Sequence, residues 1–238
     1  MTQVSIKSAN CNIKELAFRK LTEELTIPRG VEQTIVVDHL ENAHILLEEG
    51  AKLTFIYCGF EGFKDLKKIT FEFGGRESEL HFLGFIIGTK DQTFPFETVS
   101  LHKVPQTKAH YNVRATMFDH SKVDYKGNII IKKSAPLTDA YLAHHTLLLS
   151  DFARARTIPA LEIEADDVKA GHAATIGKVD EEVMFYLQSR GLDKIQAELL
   201  QISGFFEQQL QQVPDEELAC SLRELIKSHL PLNLNNNF

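Results

Sequence analysis

The segment PALEIEADDVKAGHAATIG, residues 159–177, decides how the chain is divided. Upstream of this segment, apolar and polar residues alternate in short runs, which is the period-2 pattern of β-strands. Downstream of it, the apolar residues recur at helical spacing. The segment therefore marks the boundary between a β-rich part and an α-helical part.

The β-rich part, residues 31–178, repeats a loose theme of an apolar run, a short polar or glycine turn, a small residue and a charge. Examples lie at 47–53, 117–123 and 149–155. Short strands joined by small-residue corners, without helices between them, are typical of a β-solenoid. Because the repeat is irregular in length, a β-sandwich stays open on this pattern alone.

The two ends of such a solenoid need covers, because an open coil exposes strand edges and apolar core. Residues 6–25 predict a short amphipathic helix, or a cap, within an N-terminal segment of residues 1–30. Residues 179–232 predict a C-terminal helical domain that covers the other end or extends from it. Its first helix begins at Asp180 and ends at Gly191, and the residues after 232 form a frayed tail.

The charge and the motifs exclude several classes of function. The formal net charge of −7 and the absence of a basic patch argue against nucleic acid or a membrane as a partner. No apolar run approaches the roughly 20 residues of a membrane span, and no secretion signal begins the sequence. We therefore expect a cytoplasmic protein. No phosphate-binding loop is present, so nucleotide hydrolysis cannot be assigned.

A family resemblance rests on the motifs LLLSD (147–151), PxLEIxADDVK (159–169), GHxATxG (171–177) and DEExxFYLxSRG (180–191). They resemble the C-terminal core of SufB and SufD, scaffold subunits of the Suf iron–sulfur cluster assembly machinery. Residues 127–131 and 138–141 fit the same family, so the similarity covers roughly residues 110–210. It implies a right-handed parallel β-helix and a scaffold rather than an enzyme. The ADDVK segment is closer to SufD, so the chain resembles a short SufD.

Two histidines are the candidate site residues. Without the resemblance, we would interpret His172 as a hydrogen-bonded structural residue in a solenoid turn. The resemblance implies instead that it lies at a dimer interface and takes part in cluster assembly. A cysteine of SufB-like chains matches at or near His144, which can ligate iron but cannot carry a persulfide. Because His144 and His145 alternate along a strand, at most one of them can join His172.

Bound iron is expected only as cargo. The chain has three cysteines, which cannot supply the four thiolates of a pre-formed cluster. We therefore expect no cofactor held stably by the chain alone, and a transient iron–sulfur cluster at a dimer interface. His172 and His144 are the predicted metal ligands.

The resemblance also implies partners. SufB- and SufD-like chains bind the SufC ATPase through their C-terminal helices, and an apolar helix face is a common docking element. The predicted anchors are Phe185, Tyr186, Phe205 and Phe206, although each could instead pack the helices onto the solenoid. The β-helix is expected to pair with a SufB-like subunit or with a second copy of the chain.

Two other functions remain open. A degenerate family member could stabilise a partner without touching iron. An enzyme on a β-solenoid, such as a polysaccharide lyase or an acyltransferase, is the other class. It is disfavoured because no hexapeptide repeat is found, and because Glu162 and Glu164 alternate with aliphatic residues, as on a solvated strand face.

Overall fold

The fold is a β-solenoid followed by three helices, as the computed structural model of residues 3–4 and 16–231 shows. Two all-parallel, six-stranded sheets run in the orders β14-β12-β10-β8-β6-β4 and β13-β11-β9-β7-β5-β3. We call them the even sheet and the odd sheet. Because strands two apart in the chain are neighbours, each coil contributes one strand to each sheet. The predicted β-solenoid is confirmed.

The strands lengthen along the chain from four residues in β3 to ten in each of β8–β14. Their bounds are β1 (Gln3–Val4), β2 (Leu16–Ala17), β3 (Glu24–Ile27), β4 (Glu32–Val37), β5 (Ala43–Leu47), β6 (Lys52–Gly59), β7 (Lys67–Phe73), β8 (Glu79–Gly88), β9 (Thr93–His102), β10 (Lys108–Met117), β11 (Lys122–Ile131), β12 (Asp139–Leu148), β13 (Arg154–Ile163) and β14 (Lys169–Lys178). β1 and β2 form a separate antiparallel pair.

The interior between the sheets is filled by residues that alternate along each strand. In-register neighbours stack, as Phe55, Phe82 and Tyr111 do on β6, β8 and β10, with ring centroids 5.4 and 5.5 Å apart. Parallel strands place identical faces one above another, so aromatic residues form a ladder. This stacking fixes the register of the coils.

The corners before β8, β10 and β12 are made by Glu77, Gln106 and Leu137, which have φ angles of 60°, 62° and 59°. Backbone N–H groups at these corners donate to the next coil, as from Gln106 to Pro136 O at 3.0 Å and from Leu137 to Asp167 O at 2.6 Å. The left-handed conformation turns the chain while keeping the coils hydrogen-bonded. For Leu137 this conformation carries a steric cost.

The helices are α1 (Glu181–Ser189), α2 (Lys194–Leu210) and α3 (Glu216–His229). Each begins at an aspartate, Asp180, Asp193 or Asp215, whose side chain accepts backbone N–H groups of the first turn. The predicted start at Asp180 is confirmed, and Gly191, with φ of 98°, follows α1 as expected. None of these helices, within the described part of the chain, is long and apolar enough to span a membrane.

Helices α2 and α3 pack on the outer face of the even sheet instead of lying over the last coil. Their apolar sides meet sheet residues such as Ile56, Leu83 and Phe85 in a second hydrophobic core. Buried Gln209 donates from Nε2 to Gly84 O and Asn112 O at 3.1 and 2.7 Å, which fixes α2 to two strands. Within residues 16–231, the last coil is therefore left without a helical cover.

The N-terminal segment is not helical where it is described. Residues 16–17 and 24–27 are strands, whereas the sequence predicts a helix across 6–25. Residues 6–15 and the predicted frayed tail, residues 233–238, lie outside the described residues. Leu21 does pack into the interior of the solenoid, as a capping residue would.

Candidate pairing surface and histidine site

The C-terminal coil of the solenoid ends in two sheet edges. β13 and β14 are the last strands of the odd and even sheets, and each pairs on one side only among the described strands. Most residues of both strands are exposed, in contrast to the buried alternation of β8–β12. We call this uncovered coil, residues 154–178, the open end.

His172 lies on β14 at the open end. It pairs in register with Leu142 of β12, whose side chain is buried in the solenoid interior. Registered residues of parallel strands face the same side of a sheet, so His172 belongs to the inner face. Ala170, two residues earlier, packs against the same core. No further coil follows in the described part of the chain, and His172 is exposed to solvent.

His144 lies one coil deeper, on β12, and is fully buried. Its Nδ1 is hydrogen-bonded to Thr157 Oγ1 on β13, and its Nε2 lies 3.4 Å from Thr146 Oγ1. Burial lowers the pKa of His144 to about 3, with a smaller contribution from His145, so the ring is neutral at pH 7. His144 is therefore a packed residue beneath the open end, and it can act as a ligand only if Thr157 or Thr146 releases a ring nitrogen.

His145 points to the other face of the even sheet. Its Nδ1 lies 2.7 Å from Thr175 Oγ1 on β14, and the residue is partly exposed. Burial lowers its pKa, with help from the positive charge of Arg114. As the alternation of the strand predicts, only one of the two histidines shares a face with His172.

The described residues of this chain do not form a complete metal site. Among them, no three His, Cys, Asp or Glu side chains converge so as to hold a metal ion. His172 and His144 share the inner face of the even sheet but do not by themselves surround an ion.

The free edge of β14 presents backbone donors in the middle of the strand. The N–H of Lys169 donates to Thr138 O of the preceding coil at 2.8 Å. Because amides alternate in direction along a strand, the N–H groups of Ala170, His172, Ala174 and Ile176 face the free edge. On β13 the same alternation, starting from the Arg154 N–H donated to Ser121 O, directs the nitrogen of Pro159 outward. β14 is therefore the better edge for strand pairing.

The four predicted aromatic anchors separate into two groups. Phe185 and Tyr186 on α1 are 76% and 54% exposed, and α1 has no buried residue. Phe206 is only 1% exposed and packs on Phe85, as in the alternative that it packs the helices onto the solenoid. Phe205 is half-buried, and the Arg114 guanidinium lies 4.8 Å from its ring centroid. Phe205 and Phe206 hold α2 to the sheet.

An open cleft of about 480 Å³ lies between α1, the start of α2 and the ends of β12 and β14. Phe185 and Met184 line one wall, and Leu148 and Leu149 line the other. The Lys178–Asp151 ion pair, with Nζ and Oδ1 2.5 Å apart, lies at its rim. The cleft thus separates α1 from the solenoid, and Phe185, which lines it, stays exposed together with Tyr186.

Two features of the site were missed by the sequence analysis. Thr157 gives no motif signal, since its hydrogen bond to His144 depends on two strands of different sheets meeting across the interior. The edge position of β13 could have been predicted from Pro159, because a proline in the middle of a strand is tolerated only at the edge of a sheet.

Comparison with known proteins agrees with this architecture. The sequence model described as "SUF system FeS cluster assembly, SufBD core domain" matches residues 32–205. The iron–sulfur cluster assembly protein SufD of Escherichia coli K12 is 29% identical over 160 residues, which cover 67% of this chain and 38% of SufD. SufD of Bacillus subtilis 168 is 33% identical over 142 residues, covering 60% of this chain and 32% of that protein.

A SufBD family protein of Mycobacterium tuberculosis H37Rv is 27% identical over 202 residues, covering 82% of this chain and 51% of the relative. The aligned part thus spans about a third to a half of each of these relatives. The matched residues include the coils from β4 onward, the open end and most of α2. On this evidence the chain belongs to the SufBD family of SUF-system iron–sulfur cluster assembly proteins.

Proposed function

We propose that the chain is a non-catalytic scaffold for iron–sulfur cluster assembly in the cytoplasm, and that it works as one half of a dimer joined at the open end. The observation that carries this proposal is the uncovered last coil, in which a free strand edge and the inner-face residue His172 lie together. An exposed ten-residue edge strand is a template for pairing with another chain.

Pairing through β14 would bring the inner face of the partner's sheet next to His172. The edge-facing amides of Ala174 and Ile176 would hydrogen-bond to the partner strand. The partner is a SufB-like subunit or a second copy of this chain. Cluster ligands from both chains would then surround a transient cluster, which is the cargo of the complex.

The C-terminal helices supply the second contact in this proposal. A SufC-type ATPase would bind α1, where Val183, Phe185 and Tyr186 are exposed. Aromatic side chains that leave water on binding contribute strongly to protein–protein affinity. The absence of buried residues in α1 means that the solenoid does not compete for them.

Strand pairing is tested with Ala174→Pro, which removes one edge-facing N–H and leaves the hydrogen bonds to β12 in place. Multi-angle light scattering of the chain, alone and mixed with a SufB-like subunit, should show loss of the dimer. Ala174→Ser keeps the N–H and is the matched control. A dimer that persists in the proline variant, with unchanged affinity, would overturn pairing through β14.

ATPase binding is tested by mixing the chain with a SufC-type ATPase and repeating the scattering measurement. The double variant Phe185→Ala/Tyr186→Ala should lose the complex while its circular dichroism stays unchanged. Leu66→Ala, another exposed apolar residue far from α1 in sequence, is the control. Retention of the complex by the double variant would exclude α1 as the binding element.

A further inference from the structure

A pair of histidines lies on the outer face of the even sheet, away from the open end. His81 on β8 and His110 on β10 are in-register neighbours. Their ring centroids are 5.8 Å apart, and the ring planes are nearly perpendicular at 83°. Neither residue belongs to the motifs of the family resemblance, and neither contributes to the proposed scaffold contacts.

The separation of the two rings suits a shared metal ion. An imidazole nitrogen binds a first-row metal at about 2.0–2.1 Å, which puts the ring centroid roughly 3.2 Å from the metal. When the N–metal–N angle is tetrahedral or wider, the centroids of two imidazoles on one ion therefore lie about 5–6.5 Å apart. The observed 5.8 Å falls within this range. Adjacent parallel strands thus hold the two rings at the separation that a shared ion would require.

A carboxylate orients one of the two rings. His110 Nε2 lies 3.2 Å from Asp139 Oδ1 on the neighbouring strand β12. The nitrogen donates its hydrogen to the carboxylate, which leaves Nδ1 with its lone pair. A carboxylate that holds the second nitrogen of a ligating histidine is a common support of metal sites.

The surroundings leave the pair accessible and nearly neutral. The helices cover the apolar residues farther along the strands, such as Leu83 and Phe85. The side chains of His110 and Asp139 are each 41% exposed, and His81 is partly buried. The neighbouring row of the sheet alternates in charge from strand to strand, in the order Glu32, Lys52, Glu79, Lys108, Asp139 and Lys169. This alternation neither attracts nor repels a cation strongly.

We propose that His81 and His110, with His110 oriented by Asp139, form a surface site for a divalent first-row transition-metal ion. Among the described residues no third ligand converges on the pair, so water completes the coordination. Two imidazoles favour ions of the Fe²⁺ to Zn²⁺ series over Mg²⁺ or Ca²⁺, which prefer oxygen ligands. The site is separate from the open end and from α1.

The test is a calorimetric titration of the full chain with Co²⁺, accompanied by its visible absorption spectrum. One equivalent should bind, and His81→Ala or His110→Ala should each weaken its affinity at least about tenfold, since each removes half of the protein ligands. Asp139→Asn should weaken the affinity about tenfold while the spectrum keeps the signature of two imidazoles.

The controls separate this site from other histidines. His120→Ala and His145→Ala remove imidazoles elsewhere on the solenoid. Both should bind Co²⁺ as the unchanged chain does. The proposal is overturned if one equivalent fails to bind, or if the affinity survives His81→Ala and His110→Ala. Circular dichroism of each variant establishes that the solenoid is folded.

Discussion

His144 on β12 and Thr157 on β13 are hydrogen-bonded to each other across the solenoid interior, and so connect the even sheet to the odd sheet. The bond lies directly beneath the open end. Since the imidazole is buried, no water can replace Thr157 without entering the core. This contact therefore joins β12 to the last coil, which carries the proposed pairing surface.

Thr157→Val should lower the free energy of unfolding by about 1–3 kcal/mol, because it leaves the buried Nδ1 of His144 without a partner. Thr157→Ser retains the hydroxyl and should lower the free energy of unfolding by less. Urea unfolding followed by circular dichroism measures both. Equal stability of the valine variant and the unchanged chain would show that the bond is not needed.

Acid should destabilise the fold through two buried histidines. Burial lowers the pKa of His144 and of His102 to about 3. The unfolded chain takes up these protons below about pH 6.5, whereas the folded chain does not until about pH 3. The free energy of unfolding should therefore fall by about 1.4 kcal/mol per pH unit for each histidine as the pH drops below 6.5.

The measurement is the urea midpoint at intervals from pH 7.5 to 4.5. His102 has hydrogen bonds to Ser100 and Thr107, at 2.9 and 2.7 Å, that a glutamine can partly replace. His102→Gln should reduce the slope below pH 6.5 even if it lowers stability at pH 7.5. An unchanged slope in this variant would show that His102 takes up its proton in the folded state.

Phe206→Ala should destabilise the chain by about 3–5 kcal/mol, because the ring is buried between α2 and the even sheet. Phe185→Ala, on exposed α1, should change the free energy of unfolding by no more than about 0.5 kcal/mol. Thermal unfolding of both variants provides the comparison. Similar losses in the two variants would mean that α1 is packed in solution.

Leu137→Asn should raise the free energy of unfolding by about 0.5–1 kcal/mol, since asparagine tolerates the left-handed corner better than leucine does. Leu137 is half exposed, so little packing is lost. Leu66→Asn makes the same change at an exposed leucine that does not have a positive φ. If both variants behave alike, the gain does not come from backbone strain.

His172→Ala should leave the fold unchanged and reduce cluster formation in the complex reconstituted with a SufB-like subunit and a SufC-type ATPase. The imidazole is exposed at the open end, so its removal costs the isolated chain little. His120→Ala is the control. Cluster formation is followed by visible absorption, and an undiminished yield would remove His172 from the mechanism.

The sequence alone determined the features that arise within a few residues of one another. Period-2 alternation predicts the strands, and the helix starts follow from aspartates such as Asp180, because a cap forms with the first helical turn. The apolar stripe of α2 likewise predicts that Phe206 lies on the same side as Ile202 and Leu210. The family motifs at residues 159–177 predict the parallel β-helix.

Only the tertiary structure decided which surfaces pack against those apolar faces. A stripe shows that one side of α2 is buried, but the surface that buries it, the outer face of the even sheet, depends on how the chain folds back. In the same way, His81 and His110 are neighbours because irregular coils happen to place them in register. Long-range contacts of this kind leave no periodic signal, since the coil lengths vary and each contact joins residues that are distant in sequence.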